Sequence, residues 1–150
     1  MSREPAGEAP RTRIEIRPAR QREAQAVLAA WRDAGAAPSV SDDVASITRL
    51  IEHDPLALLV AEADGRIVGT VIATWDGWRG GIYRLAVAPE HRRLGIGRML
   101  VEAAEARLSA LGAPKISALV LHEHDHAMGF WRAIGYEHDD RIARWTRTLV

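Results

Sequence analysis

Residues 82 to 121 read as a strand, a long amphipathic helix and a second strand, and this series constrains the fold more than any other part of the chain. Ile82 to Val87 is an apolar run of strand length, and Ile116 to Leu121 is another. Between them, apolar residues recur with helical spacing from Ile96 to Leu111. Two strands connected through a helix normally run parallel. The series therefore predicts a parallel strand pair.

The residues before this series predict antiparallel strands. Leu56 to Glu62 and Ile67 to Thr74 are strand-like and are separated by Asp64-Gly65, a strong signal for a hairpin turn. With the strand over 82 to 87 they form a three-stranded meander. The alternation of Ile14 to Arg17 predicts a first strand at its edge.

Three further helices and a last strand complete the predicted order. Apolar residues at helical spacing predict helices over 24 to 31, 44 to 51 and 125 to 134, and a weaker strand pattern covers 141 to 149. The order β-α-α-β-β-β-α-β-α-β is that of an α+β, or mixed α/β, fold built on one sheet.

Length and composition predict a single globular domain that has no cysteine chemistry. The chain has 150 residues, 20 basic and 20 acidic residues, and no cysteine. Equal numbers of basic and acidic residues argue against a protein that binds nucleic acid or a membrane surface. The lack of cysteine excludes disulfides and thiolate catalysis. Residues 1 to 12 are predicted to be a disordered tail. We see neither a signal peptide nor a membrane span, so we expect a cytoplasmic protein.

The loop Arg92 to Arg98, between a predicted strand and the long helix, has the composition of an anion site. Glycines at 95 and 97 allow close approach of the backbone, and the first turn of a helix carries amides without partners. Such a turn suits phosphate, and flanking arginines add donors. A plain turn is the alternative. Neither a P-loop nor a GxGxxG motif is present, since residue 100 is Leu.

The block from Leu85 to Gly97 (LAVAPEHRRLGIG) resembles motif A of the Gcn5-related N-acetyltransferase (GNAT) superfamily. Arg92, Gly95 and Gly97 fill the three positions of the [Arg/Gln]-x-x-Gly-x-[Gly/Ala] pattern. The order of elements is also similar over residues 13 to 149. Residues 56 to 136 look especially like small, stand-alone bacterial members of the family, through LLVAEADGRIVGTV, WDGWRG and GYEH.

The resemblance implies the acyl-CoA N-acyltransferase (GNAT) fold over residues 13 to 150. This fold has a mostly antiparallel sheet of six to seven strands with one splayed parallel pair, and four flanking helices. It implies an N-acetyltransferase that moves an acetyl group from acetyl-CoA, its co-substrate, to a primary amine by direct attack. The predicted donor contacts are the strand Leu85, Ala86 and Val87, the arginines Arg92, Arg93 and Arg98, and the amides of Leu94, Gly95, Ile96, Gly97 and Met99.

A second, weaker signature involves the last helix. His124, Ala127, Trp131 and Gly135-Tyr136 match the family's Asn-x-x-Ala-x-x-x-Tyr-x-x-x-Gly-Phe, with two departures. His124 stands where an Asn usually touches the pantetheine arm. Trp131 replaces the Tyr that commonly protonates the thiolate, and an indole N–H is too weak an acid for that role. We expect Trp131 to be either a wall of the acyl pocket or part of the core.

The remaining catalytic and acceptor residues are not fixed by the family pattern. An alkylamine is mostly protonated at pH 7, so a base is required, and the candidates are Tyr83, His122 and Glu123. The acceptor is expected to be a small molecule or peptide, and a homodimer is possible. The side chains expected to be exposed and to contact the acceptor are Trp31, Trp75, Asp76, Trp78 and Arg79. The alternative is that Trp75, Trp78 or both fold back on the sheet or lie in a dimer contact.

Two other function classes stay open at this point. The first is an acyl-CoA-binding sensor of the same fold without turnover. The second is a metal protein, since His122, His124 and His126 would share one face if the segment were extended. A helix capped by Asp125 would scatter the three rings, and we therefore predict no metal site.

Overall fold

The computed structural model of the protein describes residues 12 to 149. The predicted tail over residues 1 to 12 lies, except for Thr12, outside this part. One sheet runs in the order β1-β2-β3-β4-β5, antiparallel except for the parallel pair β4–β5. Its strands are β1 (Ile14–Pro18), β2 (Leu58–Ala63), β3 (Arg66–Trp75), β4 (Gly80–Val87) and β5 (Ile116–Ala118).

Four α-helices cover the two faces of this sheet, as predicted. They are α1 (Ala24–Asp33), α2 (Val44–His53), α3 (Ile96–Ala110) and α4 (Asp125–Ala133). The N-cap of α4 is His124, so the prediction that Asp125 caps this helix is wrong: Asp125 is its first helical residue. No helix within residues 12 to 149 combines the length and apolar character needed to cross a membrane.

The described chain has five strands, fewer than the six to seven predicted. The predicted strand over 141 to 149 is wrong, since these residues lie exposed without regular structure. The strand predicted over 116 to 121 pairs only from Ile116 to Ala118. A strand forms only where another backbone offers hydrogen bonds, and within residues 12 to 149 nothing pairs with the outer edge of β5.

The core consists of two apolar clusters, one on each face of the sheet. On one face α3 buries Leu100 and Leu108 against the strands. Glycines let this helix lie close: a Cβ at Gly80 would come within 2.8 Å of the Leu108 side chain. On the other face, Val27 of α1 and Ile47 of α2 pack against the sheet. The long helix is therefore held rigidly against β4, and its first turn has a fixed position.

A β-bulge interrupts β4 and changes which face its residues occupy. The pairing with β3 shifts between Thr70 and Ile72, and Arg84 has a φ of +52°. Because of the extra residue, Ile82 packs on the α3 face whereas Ala86 packs on the α1 face. In a regular strand, residues four apart share a face. The bulge thus changes the direction of β4 directly before the glycine loop.

Candidate functional site

The loop before α3 presents a row of backbone amides without partners. The α3 helix begins after Gly95, whose φ is +78°, and its first intrahelical bond is donated by Met99 to the Gly95 carbonyl over 3.0 Å. Among residues 12 to 149, no group accepts a hydrogen bond from the amides of residues 93 to 98. Orphan amides at a helix start carry partial positive charge and bind anions.

The glycines leave the backbone of this row accessible. A Cβ built on Gly95 would have no protein atom within 4 Å, so the cradle is open on that side. At Gly97 the added Cβ would lie 3.4 Å from the Phe130 ring, which is ordinary contact. The residues present therefore match the pyrophosphate that acetyl-CoA carries.

The three arginines of the loop differ in their surroundings. Arg92 donates to the carbonyls of Val87 (3.3 Å) and Ala34 (3.0 Å), which ties the end of β4 to the end of α1. Its guanidinium is therefore committed to main-chain carbonyls rather than projecting freely from the loop. Arg98 forms an exposed ion pair with Glu102. Arg93 is exposed at a φ of +65°, and within residues 12 to 149 its guanidinium has no hydrogen-bond acceptor.

The parallel pair β4–β5 diverges, which opens one side of β4. The strands pair from Gly80–Ile116 to Ile82–Ala118, and one further bond joins the Leu119 amide to the Ile82 carbonyl. From residue 83 to 87, β4 has no β5 neighbour within the described chain. This open stretch ends at the glycine loop and includes Leu85, Ala86 and Val87, the predicted contacts of the pantetheine arm.

A cleft of about 300 Å³ is lined by the end of β3, by the loop before β4 and by the paired part of β4 and β5, and it extends to Tyr83, the first β4 residue beyond that pairing. Sequence reasoning singled out five of its residues, namely Trp75, Asp76, Trp78, Arg79 and Tyr83. It missed Thr74 and Ser117, which also line the cleft. A polar residue inside the short apolar run of β5 is the signal by which Ser117 could have been found.

Tyr83 connects this cleft to the divergent strands. It is the first β4 residue beyond the paired segment, and it is half-exposed. Its ring lies back over Gly81, where an added Cβ would be 3.3 Å from the ring and 2.8 Å from Thr74 Oγ1. The glycine at 81 therefore leaves room for the phenol beside Thr74.

The loop from Asp76 to Arg79 is held in a defined shape. One oxygen of Asp76 accepts hydrogen bonds from the amides of Trp78 (2.8 Å) and Arg79 (2.7 Å), and these bonds hold the pKa of the carboxyl below its usual range. The Arg79 guanidinium lies 4.2 Å from the centre of the Trp78 ring. One face of Trp78, which is 66% exposed, is thus already occupied by a cation.

Trp31 lies in the core, so the prediction that it is exposed at the acceptor site is wrong. Its side chain is only 5% exposed, and its indole N–H donates to Thr70 Oγ1 over 2.9 Å. The Arg84 guanidinium lies over the ring and also holds Asp42 (2.8 Å) and the Ala37 carbonyl. Burial followed from the helical spacing of Trp31 with Val27, which marks the core face of α1.

The residues of the second, weaker signature lie in α4 and directly beside it. Trp131 is 7% exposed and packs edge-on against Tyr136 at 4.7 Å, so of the two alternatives its position matches the core. The Tyr136 hydroxyl is buried and has no partner within residues 12 to 149. Burial, with a smaller effect of Glu105, raises the pKa of Tyr136 to about 12. His124, at the N-cap, stacks on His126 with 5.6 Å between ring centres.

The histidines do not converge. His122 contacts His138 at 4.9 Å, whereas His124 and His126 form a separate pair. In the part of the chain that the structure describes, no three His, Asp or Glu side chains are placed to hold a metal ion. The turn at the start of α4 thus leaves the His122 ring apart from the pair of His124 and His126. The metal-protein alternative therefore has no geometric support.

Comparison with known proteins gives a family and a fold. Residues 17 to 136 match the model of the acetyltransferase (GNAT) family. An aminoglycoside N-acetyltransferase solved with CoA is similar, with a TM-score of 0.74, 19% identity, and coverage of 93% of this chain and 99% of that chain. The PaiA N-acetyltransferase of Thermoplasma acidophilum, also solved with coenzyme A, has a TM-score of 0.75 at 18% identity, covering 85% and 92%.

A third similar structure is the diaminobutyrate acetyltransferase of Paenibacillus lautus, solved with its substrate and coenzyme A. Its TM-score is 0.67 at 21% identity, covering 82% of this chain and 75% of that chain. At such identities these likenesses show a shared fold. The predicted fold class is thereby confirmed, apart from the number of strands.

Proposed function

The chain belongs to the GNAT acetyltransferase family, and on that basis we propose that it acetylates a primary amine bound in the cleft beside Tyr83, with acetyl-CoA as the donor. One observation carries the proposal: the cleft and the row of free amides lie at opposite ends of the same open stretch of β4. That stretch, from 83 to 87, is about 13 Å long at 3.3 Å per residue.

For the donor end, we propose that the amides of residues 93 to 98 bind the pyrophosphate. Arg93 and Arg98 supplement them, whereas Arg92 braces the loop through Val87 and Ala34. The open edge of β4 provides backbone groups for the pantetheine arm, which would bind as an added strand. Acetyl-CoA supplies the activated acetyl thioester that is transferred.

For the transfer itself, we propose direct attack by the amine. Its nitrogen bonds to the thioester carbon, the carbon–sulfur bond breaks, and the amine proton leaves to solvent or a base while CoA departs as thiolate. Because the sequence has no cysteine, a thio-acyl enzyme is not available. A thiol with a pKa of about 8.5 is a tolerable leaving group near pH 7, so transfer does not require an acid at Trp131.

Among the predicted base candidates, the geometry favours Tyr83. It borders the cleft, and its hydroxyl can accept a hydrogen bond from the amine and relay the proton through water. His122 instead contacts His138, and Glu123 lies with it in the exposed turn before α4. We therefore assign the amine-facing role to Tyr83 and leave His122 and Glu123 without one.

Calorimetric titration with acetyl-CoA, followed by detection of thiol release with a panel of amines, tests the proposed function. We expect binding of acetyl-CoA and thiol release that depends on an amine. The absence of binding would overturn the donor site. Binding without any amine-dependent release would favour the alternative of an acyl-CoA sensor.

We further propose that the chain forms a homodimer through its last residues. Ile142, Trp145 and Leu149 are 73%, 92% and 88% exposed, and they lie in the segment that the sequence predicts as a last strand. Pairing with a second copy would cover them. Sedimentation of the wild type and of a Trp145→Ser variant tests this proposal. A monomeric wild type would contradict it.

A cytoplasmic location and a bacterial origin stay predictions.

A further inference from the structure

We propose that the acceptor is a small α-amino acid with a second, distal primary amine. Its carboxylate would bind Arg79, its α-ammonium group would face Asp76, and its distal amine would reach Tyr83 and be acetylated there. This inference rests on the proposed function, because it names the acceptor class of the same cleft.

The first argument is the pair of opposite charges at one end of the cleft. Within residues 12 to 149 the Arg79 guanidinium has no hydrogen-bond acceptor; its contact is with the Trp78 ring. Stacked in this way, its planar donors are oriented and available for a carboxylate. Asp76 uses one oxygen for two backbone amides, which leaves the second oxygen for a cation.

The second argument is the distance between this charged end and the divergent strands. Arg79 and Tyr83 are four positions apart in the sequence, at most about 13 Å of extended chain. Both side chains reach into the cleft and shorten the gap. A bound molecule therefore needs a chain of a few methylene groups between its zwitterionic end and the reacting amine.

The walls of the cleft suit such a chain. Trp75, Trp78 and Tyr83 supply aromatic surface to the cleft, and Thr74 and Ser117 supply hydroxyls. The volume of about 300 Å³ is at the small end of the range for ligand sites. The cleft is thus sized for a single amino acid.

The charges also argue against two other classes of amine. A polycation needs several carboxylates, but among the described residues that line the cleft only Asp76 is acidic, and Arg79 lies beside it. A lysine inside a peptide lacks the free carboxylate and α-ammonium group that the two residues would bind. Either class would leave Arg79 without a partner.

The test compares matched acceptors by CoA release and, independently of turnover, by calorimetric binding to the protein saturated with CoA. The probes are lysine, ornithine, cadaverine (lysine without its carboxylate) and a lysine with both α-groups blocked as amides. We expect lysine or ornithine to exceed cadaverine and the blocked lysine by about tenfold to a hundredfold in kcat/KM, the effect of one or two charge-assisted bonds. Equal rates for all four, or a preference for cadaverine, would overturn the inference.

Substitutions that remove one charge test the proposed roles of Arg79 and Asp76. Arg79→Gln should lower kcat/KM and affinity for lysine at least tenfold while changing cadaverine less than threefold. Asp76→Asn keeps an oxygen for the two amides and removes only the charge, so the loop is expected to keep its shape. Arg66→Gln, an exposed arginine on β3 outside the cleft, is the matched control. Equal effects of Arg79→Gln on lysine and cadaverine would contradict the assignment.

The two proposals fail in different ways. If acetyl-CoA binds and some amines are acetylated without regard to a carboxylate, only the acceptor class is wrong. If acetyl-CoA does not bind, the proposed function itself is wrong, and calorimetry with lysine alone still measures whether Arg79 holds a carboxylate.

Discussion

The indole nitrogen of Trp31 donates a hydrogen bond to the buried hydroxyl of Thr70 over 2.9 Å. That hydroxyl in turn donates to the carbonyl of Arg84, also over 2.9 Å. The two bonds link α1 through β3 to the bulge of β4. Since the bulge sets the direction of the open stretch of β4, a core contact helps to position the site.

Replacing Thr70 with Val should destabilise the protein by about 2–3 kcal/mol, because the indole N–H and the Arg84 carbonyl would both lose a buried partner. Urea unfolding measures this. Thr70→Ser keeps the hydroxyl and is the control, with a smaller loss expected from the missing methyl group. Equal stability of Thr70→Val and wild type would show that neither bond contributes.

Substitutions at Gly95 distinguish the effect of backbone strain on stability from the effect of an added side chain on acetyl-CoA binding. Gly95→Ala should cost about 1 kcal/mol of stability because of the positive φ, and Gly95→Asn less, since Asn tolerates this region. Both place a side chain at the start of the amide row, so both should weaken acetyl-CoA binding at least tenfold by calorimetry. Unchanged affinity in Gly95→Asn would show that no ligand occupies that space.

The Arg17–Glu23 pair predicts an acid-dependent loss of stability. Arg17 donates to Glu23 over 2.7 Å, and this bond lowers the pKa of Glu23 to about 2 from an ordinary 4.5. Because the folded pKa lies below the unfolded one, the stabilisation is complete above about pH 4.5 and is lost as the pH falls towards 2. At pH 6 the free energy of unfolding in urea should be about 1–3 kcal/mol higher for the wild type than for Glu23→Gln. This difference should become smaller at pH 3. A constant difference would contradict this.

Tyr136→Phe should keep or raise the stability at pH 7, by up to about 1 kcal/mol, because the lost hydroxyl is buried without a partner in the described chain. Burial raises the pKa of Tyr136 to about 12, so ionisation opposes folding as the pH rises above 10. The thermal unfolding midpoint of Tyr136→Phe should therefore fall less steeply between pH 10 and 12. Destabilisation at pH 7 would indicate a partner for the hydroxyl.

The sequence predicted most of the fold where the signal is local. The helical period of Val27 and Trp31, the Asp64-Gly65 turn and the glycines before α3 all act within a few residues, and each is present in the structure. The last strand was predicted on a weaker pattern and is absent, since a strand also needs an edge to pair with.

What the sequence determined by itself is the family, the order of the elements up to α4 and the glycine loop before α3, because free main-chain amides at a glycine-lined helix start depend only on local conformation. Tertiary structure decided the burial of Trp131, the bulge at Arg84, and the cleft that joins Thr74, Tyr83 and Ser117. These depend on which distant segments meet, and an arginine in a left-handed conformation or a serine on an edge strand carries no local signal of its neighbours.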